Sequence, residues 1–136
     1  SKNGDTALMF ATNNTNIEVI KLLCNVFNTK IDINKQNRYG GTVVMIAAEK
    51  KNIKTIQFLY TIFQDTIDIN KADNDGNTAF MLASCTSNIN MIQFLYKTAT
   101  FKDTIDINKK NNDGDTALVL ARKHSNSEVF KYLSTL

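Results

Sequence analysis

The chain contains no proline and no tryptophan, one histidine (His124) and two cysteines, Cys24 and Cys85. So small a stock of reactive side chains leaves little from which to build a catalytic or metal centre. Ser125 beside His124, with Asp113 and Asp115 nearby, could be written as a Ser-His-Asp set. Adjacent residues on a helix do not face each other, however, and neither a nucleophile elbow nor an oxyanion loop of glycines is present. The cysteines form no CxxC pair, and Cys24, Cys85 and His124 fall in separate segments. Helix layers ~8–10 Å apart would hold those three beyond the reach of one ion. The five glycines compose no phosphate loop. The expectation is a non-enzyme with no catalytic residue, no metal and no cofactor. Its two thiols are expected to be free and buried, as suits an intracellular, reducing cytoplasm of the source cell or of a host.

Long runs are missing too. The longest apolar stretch is the six residues Val43 to Ala48, far short of a membrane span. No five like charges stand together and the net charge is only +3, so neither a nucleic-acid arm nor a polybasic anchor is expected. What is present, 43% apolar and 21% charged residues over 136 positions, suits one soluble globular domain, expected to be a monomer. Lysine outnumbers arginine 14 to 2, and Asn and Ile abound. That bias marks an A/T-rich genome and concerns the source rather than the function. In so Asn-rich a chain, the sequon Asn13-Asn14-Thr15 is read as chance.

The organisation lies in a period. The segment Gly4-Asp-Thr-Ala-Leu-Met-Phe-Ala recurs from Gly40, Gly76 and Gly114, at spacings of 36, 36 and 38 residues. A second motif, Ile31-Asp-Ile-Asn-Lys, recurs from Ile67 and Ile105 in the same register. Each unit reads as two short helices and a turn. Thr6, Thr42, Thr78 and Thr116 suit the N-cap of a first helix, and Asn16, Asn52, Asn88 and Asn126 that of a second. Leu8 and Ala11 share one face of the first helix, and Ile20, Leu23 and Phe27 one face of the second. An extended Ile-Asp-Ile-Asn and a polar turn ending in glycine complete the unit, with Asn, Asp and Gly expected to supply left-handed backbone. Since no unit can bury both of its apolar faces, neighbours must stack into an all-α solenoid of helix-turn-helix pairs with hairpin-like loops.

Gly-x-Thr-Ala-Leu-Met-x-Ala, then Asn16-Ile-Glu-Val-Ile-Lys-Leu-Leu, then Asp-Ile-Asn resembles the ankyrin repeat. The resemblance implies one domain over 1–136 with repeats at 4–39, 40–75, 76–113 and 114–136. Departures are clear. The family's Thr-Pro-Leu-His has Ala or Val for Pro, and Met9, Met45, Met81 or Val119 for His, so that thioether packing would replace hydrogen bonds. The glycine that usually ends the second helix is absent, and three to five extra residues follow it. These predict about one added helical turn, with Phe27, Phe63 and Phe101 each packing toward the Ile four residues later.

Unit four carries Arg122 where the others have Thr12, Ala48 and Ser84, and Ser127 where they have Ile17, Ile53 and Ile89. That polarity is expected of a C-terminal cap. Unit one shows none, and its outer face is expected to pack against something N-terminal.

The repeated Asp32, Asp68 and Asp106 are read as turn and cap residues rather than a calcium ladder, one carboxylate per layer being too few. For function, the resemblance implies a module that binds a polypeptide on its concave hairpin and first-helix surface, as part of a larger protein. Alternatives are a structural spacer in a longer array, or the targeting domain of an effector-type enzyme. Recognition positions should vary where framework positions repeat. The candidates by that rule are Gln36, Arg38, Tyr39, Asn74, Asp75, Lys110, Asn112 and Asp113 at the tips. At the helix ends they are Glu49, Lys50, Lys123 and His124. Arg38 and Tyr39 stand out, being the residue types that anchor interfaces.

Overall fold

A computed structural model describes residues 2–98 and 105–136. Among these, four helix pairs follow one another: α1 (Ala7–Asn13) and α2 (Ile17–Phe27), α3 (Val43–Glu49) and α4 (Ile53–Phe63), α5 (Ala79–Ser84) and α6 (Ile89–Lys97), α7 (Ala117–Lys123) and α8 (Ser127–Ser134).

Each first helix starts where its threonine caps it. The hydroxyls of Thr6, Thr42, Thr78 and Thr116 accept from the backbone N–H three residues on, at 3.1, 3.3, 3.3 and 3.4 Å. The methionine in the family's histidine position does more than pack. Met9 Sδ accepts the Thr6 N–H at 3.5 Å, closing a capping box with a sulfur acceptor. Asn16, Asn52 and Asn88 cap the second helices as expected. Asn126 does not. Its buried amide instead donates to Ser84 O and accepts from Ser87 Oγ, tying unit four to unit three.

The sharp turn from first to second helix uses left-handed backbone at Thr15, Lys51 and Ser125, with φ of 55°, 56° and 57°. These are residues that enter that region reluctantly, β-branched Thr15 most of all.

The helix ends correct two expectations. The residues inserted after α2 form a 3-10 turn, Asn28–Lys30, and those after α4 a turn in which Thr66 donates to Phe63 O through both N–H and Oγ1. After α2 the added turn is therefore helical but of the 3-10 type rather than α, and after α4 the Thr66 side chain bonds to the backbone at the helix end. Of the three rings, Phe63 is buried as expected, Phe27 is exposed, and Phe101 lies outside the described residues. Phe63 lies against residues 28–34 of unit one, a neighbour that Phe27 on the outer face of that unit does not have among the described residues, and this is the physical reason for the difference.

The Asp-Ile-Asn segments are turns rather than extended strands. Asp32, Asp68 and Asp106 each accept, through Oδ1, the N–H two residues on, at 3.0, 3.1 and 3.0 Å. Each turn drops an isoleucine toward the core, with Ile33 and Ile69 buried.

Units stack through their first helices, α1 on α3, α3 on α5 and α5 on α7, with α2 against α4 and α6 against α8. The buried set is continuous, running from Leu8, Met9 and Ile20 through Ile56, Leu59, Met81, Ile92 and Leu95 to Val129 and Leu133. Each layer closes the apolar face of the next, and burial of this kind is the dominant stabilising term.

Candidate functional site

The loops that join the pairs lie side by side as a ladder. Arg38 N–H donates to Asn3 O at 2.8 Å, Asn74 N–H to Tyr39 O at 3.0 Å, and Asn112 N–H to Asp75 O at 2.9 Å. The side-chain amides of Asn74 and Asn112 add bonds to Arg38 O and Asn74 O, both at 2.9 Å. Only glycine in each tip takes positive φ, at Gly4, Gly40, Gly76 and Gly114. Asn37, Asp73 and Asn111 stay out of the left-handed region, contrary to expectation. They shape the tip instead by accepting two backbone N–H groups each through Oδ1.

At Gly40 the ladder leaves no room, since a Cβ there would meet Asn74 N at 2.7 Å and Asp73 C at 2.9 Å. At Gly114, by contrast, a Cβ would meet nothing within 4 Å among the described residues.

The candidate positions divide into two groups. Gln36, Asn74 and Asn112 use their side chains within the ladder; Gln36 Nε2 donates to Gly40 O at 2.7 Å and to Ala72 O at 2.9 Å. Lys123 Nζ is held by Asp115. Arg38, Tyr39, Asp75, Lys110 and Asp113 stand exposed along the tips, and Glu49, Lys50 and His124 at the ends of first helices. His124 Nδ1 lies 2.9 Å from Leu120 O. The Arg38 guanidinium sits over the Tyr39 ring with Cζ 4.9 Å from its centroid, and Tyr39 remains 55% exposed. Stacked in this way the two side chains present a flat, amphipathic platform.

Tips and helix ends are near neighbours electrostatically. Partial burial raises the Glu49 carboxyl above its ordinary range; the Asp73 charge adds to this, and Lys50 opposes it. Burial also raises the Cys85 thiol, with Glu49 adding to it, and burial alone raises that of Cys24. Both cysteines are free, though Cys85 is only partly buried where full burial was expected. No group of three or more His, Cys, Asp or Glu that could hold a metal occurs among the described residues. No helix among them is long and apolar enough to cross a membrane.

A family model described as ankyrin repeats (3 copies) matches residues 1–73 and again residues 60–135. The chain belongs to the ankyrin-repeat family. No curated protein matches it. Ankyrin repeats are in general protein–protein interaction modules.

Proposed function

We propose that this ankyrin-repeat chain is a non-catalytic, monomeric module of the cytoplasm that binds a polypeptide across its tips and first-helix ends. The observation that carries the reading is the Arg38–Tyr39 platform. It sits on a ladder fixed by main-chain hydrogen bonds, so little loop entropy remains to be lost on binding. Arg and Tyr are the types that dominate interface energetics, and Arg occurs only twice in the chain. Around it the surface is of mixed sign, with Lys50 and Lys110 against Glu49, Asp75 and Asp113. That suits a polypeptide with both charges better than the uniformly anionic backbone of a nucleic acid. Gln36, Asn74 and Asn112 contribute by holding the tips in place.

The test is a photo-crosslinking amino acid placed at position 39 or at exposed Gln57 on α4. Crosslinks to one discrete polypeptide from position 39 and not from 57 support the reading. Crosslinking from 57 alone would move the site to the second helices.

A further inference from the structure

We infer that the outer face of α1 and α2 is a stacking face, which receives one more helix pair of the same repeat type in the geometry of the interior layers.

The large exposed apolar side chains are concentrated there. Phe10 is 66% exposed, Leu22 60% and Val26 61%. One unit further on, the same positions are Ile46, Phe58 and Ile62, all at least half-buried. Val19 corresponds to Thr55, Met91 and Val129, which are fully buried or nearly so.

What covers this register inside the stack is visible. Phe94, in the position of Leu22, meets Tyr60 of the preceding unit edge-to-face, with ring centroids 6.3 Å apart. Tyr132, again in that position, is partly buried near Tyr96 of the unit before it, and both effects raise its phenol pKa. Tyr60 and Tyr96 share one position on their second helices. The occupant of the Leu22 face is therefore a helix pair that lays an aromatic or apolar side chain from this position over Leu22. It also presents a small residue where Thr12, Ala48 and Ser84 lie wholly buried.

A second copy of this chain does not meet that description. Head to tail, it would offer unit four, whose far face has exposed Arg122 and Ser134 at those two positions. Face to face, it would set Phe10 and Leu22 against their own copies, with no small buried residue to receive them.

The test places a copy of residues 4–39 directly before Gly4, so that its Cys24 and Thr12 face the original α1 and α2. Leu22→Asp, made in the original unit, is then compared in the two backgrounds. The expected result is a Tm about 4 °C or more higher for the extended protein. Leu22→Asp should leave the 136-residue chain unchanged within about 2 °C and remove most of the gain in the extended one. Thr12→Arg in the added copy, imitating Arg122, should remove the gain as well. An extended protein that melts no higher, or in which Leu22→Asp stays silent, overturns the inference. So does a 136-residue chain that sediments as a dimer and is dissociated by Leu22→Asp.

Discussion

Phe27 and Phe63 hold the same position in successive ankyrin units, yet Phe27 is 47% exposed and Phe63 only 7%. The ring is the same and the local sequence alike; what differs is that Phe63 has a unit on each side. Phe63→Ala should therefore cost ~3–5 kcal/mol of stability, the usual cost of emptying a buried aromatic site. Phe27→Ala should cost less than about 1 kcal/mol. Denaturant unfolding of both variants checks this, and equal losses would mean that stacking does not set the burial.

Thr55 presents a buried hydroxyl with no hydrogen-bond partner among the described residues. Val19, Met91 and Val129 fill the same position with apolar groups. Thr55→Val keeps the shape and removes the unsatisfied group, so it should stabilise the protein by about 1 kcal/mol. A destabilised variant in the same unfolding assay would show that the hydroxyl has a partner in solution.

Gly40 and Gly114 share a positive φ but not their surroundings. Alanine at Gly114 should cost only the backbone term, ~1–2 kcal/mol. Alanine at Gly40 must also displace the main chain of the next tip, so its Tm should fall clearly further. Similar Tm losses for the two variants would mean that the ladder yields at no cost.

Both thiols have pKa values raised by burial, so less thiolate exists at neutral pH than in a solvated cysteine. A disulfide reagent should modify Cys24 only on unfolding, and Cys85 more slowly than the unfolded chain. Immediate labelling of both in the native protein would contradict the burial.

The period, the helix pairs and the caps were legible in the sequence because they rest on local rules that repeat. Thr6 follows a glycine and precedes an apolar run, and that alone places a cap. Asn126 was misread because its letter suits a cap, while its bonds to Ser84 and Ser87 arise only once units three and four are stacked. Phe27 was misread for the same reason, since burial there depends on a neighbour and not on the ring. Thr15, Lys51 and Ser125 were missed because none is a residue type that announces left-handed backbone. Among the candidate site residues, Asn74 and Asn112 occupy equivalent places and so do repeat. They stand among the recognition candidates although they do not vary between those two units, and their side chains are engaged in ladder bonds.

The most direct measurement of the functional account is the affinity of the crosslinked polypeptide, once purified, for the native chain and for an Arg38→Ala/Tyr39→Ala variant. If the platform anchors the partner, the variant should keep its Tm and lose about 30-fold or more in Kd, the equivalent of ~2 kcal/mol. An unchanged Kd with the variant folded would contradict the claim that this ankyrin chain binds through its tips.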